Sequence, residues 1–282
     1  MKRIVTIQDI SCFGKCSLTV ALPIISAMGV EAVILPTAVL STHTGGFKNF
    51  TFRDLSEDIP KITGHWKEEN INFDAIYTGY LGSFEQIDQM KAFVDAKSDN
   101  TLVFVDPAMA DNGKLYTGFT PEFARHMATL CAKADIIVPN LTEASFMLDI
   151  PYVESGYDKA YVEDVLKKLC GLGAKYAVLT GIEIEAGKTG FAMCDSKTGE
   201  ISYYQNDKID AKFHGTGDIF SSVTLGGLMQ GKSLYEALKL AADYTRKCIE
   251  TTMPNRENHW YGVEFEKEIP YLVEKLYRNS SK

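Results

Sequence analysis

Short, unbroken apolar runs that each stop at a polar or turn-forming residue constrain this chain most: RIVTIQD from Arg3, AVILPT from Ala32, DAIYTGY from Asp74, TLVFVDP from Thr101 and ADIIVPN from Ala134, with KYAVLTG from Lys175 as a later sixth. A strand with one wet face alternates apolar and polar residues, whereas a run apolar throughout is covered on both faces, as in a parallel sheet. Parallel neighbours need a crossover connection, usually helical. Leu18–Met28, Asp54–Glu69 and Glu85–Ala96 are long enough to supply one. The expectation is an α/β fold, a doubly wound and mostly parallel sheet with helices on both faces. GFAMCD and ISYYQND, joined by a turn over Ser196–Glu200, read as antiparallel strands extending one edge. A helix then opens on a capping box, Ser233 with Glu236, and buries Ala237, Leu238, Ala241, Tyr244, Thr245 and Cys248; another runs from about Glu264 to Tyr277. With no repeat, low-complexity tract or linker, residues 1–282 read as one domain.

Composition removes several function classes. At 45% hydrophobic residues the chain can bury a large core, yet it holds no run of eighteen apolar residues and no signal peptide, so a cytoplasmic protein that engages no membrane is expected. A formal charge of −8 without a basic stripe argues against nucleic acid. The six cysteines form no CxxC pair and no metal-ligand spacing with the five histidines, which predicts free or buried thiols.

In folds of this class ligands bind beyond the carboxyl ends of the strands. The candidates there are Asp9, Thr37, Thr78 with Gly79, Asp106, Asn140, and Thr180 with Gly181. The segment KFHGTGDIFSS, Lys212–Ser222, adds two glycines and a carboxylate where a helix-period run begins. Glycines let the backbone approach a ligand, and the unpaired first amides of a helix attract an anion. Asp218, in the first turn, is placed to take a proton from a hydroxyl that attacks phosphorus. Phe220 breaks a GxGxxG pattern, and Gly187-Lys188-Thr189 lacks the earlier glycine of a P-loop, because Ile182 occupies that position. GKT reads as a loop between two strands.

Asn140 and Glu143, spaced NxxE at a strand exit, can cap a helix and nothing more. Their coincidence with Asp106 and the Gly215–Asp218 loop at one sheet edge suits Mg²⁺ carrying nucleotide phosphates.

Five segments together resemble the pyridoxal kinase family of the ribokinase-like superfamily: STHTGGF at Ser41–Phe47, TGYLGS at Thr78–Ser83, DPAMADNGKLY at Asp106–Tyr116, PNLTEA, and HGTGD. The resemblance implies ATP-dependent phosphorylation of the 5′-hydroxymethyl group of a B6 vitamer (pyridoxal, pyridoxamine or pyridoxine), commonly by a homodimer. It implies Asp218 as the base and the amides of Gly215, Thr216 and Gly217 as the anion hole. It also implies Asn140 and Glu143 as holders of Mg²⁺, Asp106 and Asp111 at the phosphate end, and Thr180 at the nucleotide. His43 and Thr44 match positions at the polar edge of the pyridine ring, Tyr80 is placed near the ring, and Phe13 and Phe47 are candidate walls.

One position departs from the family. Where members read IQSHVVYG, this chain reads IQDISCFG, which puts Asp9 at the place of a substrate-touching serine, with Ser11 two residues on as the other candidate. A carboxylate there favours a cationic or donor-rich ligand, such as pyridoxamine or the related hydroxymethylpyrimidine. Hydroxymethylpyrimidine kinase is therefore the rival reading, and a non-catalytic B6-binding protein is a more distant one.

Overall fold

A computed structural model of the chain describes residues 1–278. In chain order its elements are β1 (Arg3–Phe13), α1 (Leu18–Ala27), β2 (Glu31–Thr42), β3 (Phe52–Asp54), α2 (Ile59–Glu68), β4 (Ala75–Thr78), α3 (Phe84–Asp95) and β5 (Leu102–Val105). There follow β6 (Ala110–Asp111), β7 (Lys114–Leu115), α4 (Pro121–Cys131), β8 (Ile136–Ile137), α5 (Leu141–Leu148), α6 (Lys159–Cys170), β9 (Tyr176–Ile182), β10 (Lys188–Asp195), β11 (Ile201–Asp207), α7 (Thr216–Met229), α8 (Leu234–Thr252) and α9 (Ile269–Tyr277). Every apolar run singled out above contains a strand, and the architecture is the mostly parallel α/β arrangement that the runs predict. No helix of the described residues is long and apolar enough to cross a membrane.

The chain divides into two compact units, one made of Met1–Glu57 together with the segment from Lys208 onward, the other of Asp58–Asp207. In the first, β1 and β2 pair in parallel and β3 adds to β2 antiparallel. Ile4, Val5 and Ile7 of β1 are fully buried, as a strand covered on both faces must be. The register slips between Gln8 and Ile10, whose partners Pro36 and Val39 lie three residues apart, so β2 carries a bulge. Pro36 has no N–H to donate and sits at the position where a ladder tolerates it. The bulge lets both strands run on past the polar residues at which the sequence had them end, and it places Asp9 beside the distortion. A bulge re-aims the side chains around it. α1 packs on both strands, and α7 packs between α1 and α8. That explains why Ile219–Gly227 of α7 is buried throughout, with its three hydroxyl residues, Ser221, Ser222 and Thr224, among the apolar ones. α8 has the predicted capping box and the predicted inner face, except that Thr245 is only half-buried.

In the second unit the strands lie in the order β11-β10-β9-β8-β5-β4. β4, β5, β8 and β9 are parallel, while β9, β10 and β11 are antiparallel, which is the predicted edge extension. α6 covers β9 and β10, and α4 packs against α3 and α5. Lys188 and Thr189 prove to be the first residues of β10, with only Gly187 of the GKT triplet in the turn. The helix expected from Asp54 starts later, at Ile59, because Asp54 ends β3 and Pro60 is best accommodated in a first helical turn.

Candidate active site

Gly215 is the residue on which α7 opens. Its φ of 78° is the left-handed conformation that glycine adopts without steric cost, and a Cβ added there would collide with the carbonyl of Lys15. The loop Gly14–Ser17, between β1 and α1, therefore lies directly against the GTGD loop. Asp218, in the first turn of α7, receives the backbone N–H of Ser17 on Oδ2 at 2.8 Å. Gly14, at φ 118°, lets the loop pass close to His43, whose ring a Cβ would strike.

Ser17 has φ 55° and ψ −133°, backbone angles that side-chain-bearing residues rarely adopt. Such a conformation costs about 1–3 kcal/mol and persists only where the surroundings enforce it. The enforcing contact is short: Ser17 Oγ donates to Asp9 Oδ1 at 2.5 Å, and Ser11 Oγ donates to Asp9 Oδ2 at 2.8 Å. Asp9 is 5% exposed, and burial raises its carboxyl above the usual range although both hydroxyl bonds oppose the shift. Asp9 and Ser11, both offered above as ligand contacts, are thus bonded to each other. The Cys16 thiol is pushed well up by burial, with the charges of Asp218 and Asp9 adding to it, and so carries little thiolate.

His43 is also 5% exposed. Its Nδ1 accepts the Gly45 N–H at 3.1 Å and its Nε2 lies 2.9 Å from the Tyr261 carbonyl, which fixes the neutral tautomer protonated on Nε2. The ring braces two loops, while Thr44 beside it is exposed. Burial lowers the pKa of His43, with His214 contributing, so its stabilising contribution is present above the ordinary value of about 6.5 and is lost as pH falls through the lower folded value. The melting temperature should accordingly drop on acidification from about pH 7 to about pH 5, and His43→Gln should weaken that dependence; an unchanged slope would contradict the bracing role. Several aromatic rings gather around His43. Phe47 stands edge-on to Phe13 at 6.0 Å, Tyr261 lies 4.9 Å from Phe13, and Trp260 lies 4.6 Å from Phe47. Phe13 remains 52% exposed. Trp260 and Tyr261 escaped the sequence reading; the available signal was two adjacent aromatics in the otherwise polar stretch Asn255–Gly262.

Within the second unit Asp106 follows β5, Asn140 follows β8 and caps α5, and Thr180 lies near the end of β9. Asn140 and Glu143 form a closed capping box: Asn140 Oδ1 accepts the Glu143 N–H at 2.9 Å and Glu143 Oε2 accepts the Asn140 N–H at 2.9 Å. The pair also holds the chain after β5, through Met109 N–H to Glu143 Oε1 at 3.2 Å and Asn140 Nδ2 to the Ala110 carbonyl at 2.9 Å. Thr180 N–H donates to the Pro139 carbonyl at 3.0 Å. Asp111 is exposed and holds Asn112 with both oxygens. Burial and then the nearby charges of Asp106 and Asp111 push the Glu143 carboxyl well above its ordinary range. The two buried carboxylates, Asp106 and Glu143, suit a hard divalent cation, since Mg²⁺ takes one or two carboxylates with its remaining positions on water and phosphate. A dedicated cage of three or more His, Cys, Asp or Glu side chains is absent among the described residues. Tyr80, half-buried, lies 5.6 Å from Phe119, which stacks on Phe123.

The family model described as phosphomethylpyrimidine kinase matches residues 21–262. A protein of Bacteroides thetaiotaomicron, provisionally assigned as a phosphomethylpyrimidine kinase and crystallised with pyridoxal, is 38% identical with a TM-score of 0.90, over 96% of this chain and 95% of its own. Pyridoxal kinase from Lactobacillus plantarum is 30% identical with a TM-score of 0.89, over 98% of both chains. Pyridoxine kinase of Bacillus subtilis is 25% identical over 263 residues, 90% of this chain and 92% of its own. A chain that the family model follows from residue 21 to residue 262, and that shares its fold with these kinases nearly end to end, belongs to the phosphomethylpyrimidine kinase family, and with it to the pyridoxal kinase family of the ribokinase-like superfamily.

Proposed function

We propose that the chain transfers the terminal phosphoryl group of ATP to the 5′-hydroxymethyl group of a B6 vitamer, giving the 5′-phosphate and ADP. The observation that carries this reading is Asp218 held in the first turn of α7, beside helix-start amides that favour an anion. The vitamer's hydroxyl oxygen attacks phosphorus, the bond from phosphorus to the ADP oxygen breaks, and the hydroxyl proton passes to Asp218. Phosphoryl transfer passes through a loose transition state and asks little of the base beyond position, while amides of Gly215, Thr216 and Gly217 stabilise charge on the transferring group. Asn140 and Glu143, with Asp106 and Asp111 near them, are the residues to hold Mg²⁺, which when bound neutralises phosphate charge. Thr180 is assigned to the nucleotide, and Tyr80, Thr44 and the Phe13–Phe47 pair to the pyridine ring. The protein is read as a single kinase domain acting in the cytoplasm as a homodimer.

A hydroxymethylpyrimidine substrate is the second reading, and the description of the family model favours it. The surroundings of Asp9 weigh on the other side. A carboxyl raised by burial, with both oxygens engaged by serine hydroxyls, exerts little pull on a cationic ring. Steady-state kinetics on pyridoxal, pyridoxamine, pyridoxine and the aminopyrimidine alcohol decide the matter. A kcat/KM at least about tenfold higher on a B6 vitamer is expected, the discrimination that one or two polar contacts supply. The reverse ratio would transfer the assignment to the pyrimidine.

A further inference from the structure

We propose that Asp9 is a positioning residue for the phosphoryl transfer, acting through Ser17 to orient the carboxylate of Asp218, and that it is not a substrate ligand. The inference rests on Asp218 being the base. Its ground is a continuous chain of contacts: Asp9 Oδ1 receives the Ser17 hydroxyl at 2.5 Å, and the backbone N–H of the same serine is delivered to Asp218 Oδ2 at 2.8 Å. A single residue links the buried end of β1 to the first turn of α7.

The conformation of Ser17 argues that this link is enforced. At φ 55° and ψ −133° the backbone is where glycine would be at ease, yet the residue present carries a hydroxyl, and that hydroxyl is the group that reaches Asp9. Glycine would relieve the backbone but would remove the hydroxyl that ties this residue to Asp9, loosening the N–H delivered to Asp218. The flanks of the loop are already fixed. The Lys15 carbonyl abuts Gly215, the Lys15 ammonium bonds Glu266 at 2.6 Å, and it lies 5.1 Å from the centre of the Phe265 ring. The carbonyl of the peptide before Ser17 is held by the Thr19 hydroxyl at 2.8 Å, and the Asp9 bond adds the hold on the Ser17 side chain. Asp9 is suited to this task because it lies in a strand, beside the bulge, with its second oxygen tied to Ser11. Misplacing a reacting group by about 1 Å can cost on the order of 10²-fold in rate.

The test compares Ser17→Gly, Ser17→Ala, Asp9→Ala and Asp218→Asn in the full chain, measuring kcat, KM for pyridoxal and for ATP, and melting temperature. Ser17→Gly is expected to lose about tenfold or more in kcat, with both KM values within about threefold and a melting temperature unchanged or higher. A merely structural serine would not show lower turnover in a protein that is no less stable. Ser17→Ala should lose similar turnover and also melt lower, because it keeps the strained backbone without its tether. Asp9→Ala, which removes the acceptor of the Ser17 hydroxyl, should follow the Ser17 variants in kcat; if it fails to fold, Ser17→Gly decides. A Ser17→Gly kcat within twofold of the parent, or an Asp9→Ala effect confined to the KM for pyridoxal, would overturn the proposal. Near-native turnover in Asp218→Asn would instead remove the base assignment itself, a result separable from the other variants.

Discussion

Asp218→Asn is expected to reduce kcat by about 10²–10⁴-fold, the usual contribution of a positioned general base, with KM for ATP and vitamer within a few fold. The substitution is nearly isosteric, and the amide oxygen can still accept the Ser17 N–H that the carboxylate accepts at 2.8 Å. What is lost is the capacity to take the hydroxyl proton. Binding and chemistry therefore separate, and steady-state kinetics with calorimetric titration of ATP detect the separation. Asp218→Ala should lose comparable turnover and about 1 kcal/mol of stability as well, because it leaves the Ser17 N–H without that acceptor and removes a negative charge from a helix start. Turnover near the parent level in the Asn variant would exclude Asp218 as the base.

Gly215→Ala should damage both folding and catalysis. At φ 78° an alanine pays about 1–2 kcal/mol for the left-handed backbone alone. Its Cβ would also overlap the Lys15 carbonyl, a backbone atom that cannot swing aside. Together these should cost about 2–4 kcal/mol of stability, in the range of substitutions that strain a special backbone site. Relief requires the Gly14–Ser17 loop or the start of α7 to shift. Either movement displaces anion-binding amides, for which about 10²–10³-fold in kcat is the ordinary loss. Gly231→Ala provides the control. Its φ of 84° is similarly left-handed, but open space surrounds its added Cβ, so it should cost stability while leaving kcat unchanged. Equal turnover in the two variants would mean that the close approach of the loops does not matter to the chemistry.

The parts legible in the sequence are those that local pattern encodes. Runs such as Leu102–Val105 and Tyr176–Leu179 are apolar throughout because both faces of their strands are covered, and that requirement is written residue by residue. The Asn140–Glu143 and Ser233–Glu236 boxes likewise depend on a fixed three-residue spacing. By contrast β3, Phe52-Arg53-Asp54, is exposed along its length and carries no periodic signal, and the two-residue strands β6 and β7 are too short to have one. The bulge opposite Gln8–Ile10 arises from strand pairing, which explains why β1 and β2 outrun the polar residues that mark their apparent ends. At the site, the glycines and carboxylate of GTGD stand out, yet nothing local reveals that Ser17 reaches Asp218, a contact spanning 201 positions. His43 was ambiguous for the same reason: a histidine in a polar loop reads alike whether it meets a ligand or, as here, braces the Tyr261 carbonyl.

The unit that carries Asp9, Ser17 and Asp218 draws on both ends of the polypeptide, with the whole of Asp58–Asp207 translated in between. During synthesis the opening strands emerge long before α7, which packs on α1, exists to cover it. At ~5–20 residues per second the wait lasts on the order of ten to thirty seconds, while the intervening unit has every segment it needs to form first. Strands β1 and β2 thus stay apolar and without α7 until Thr216–Met229 has been synthesised, an interval in which a chaperone can bind them.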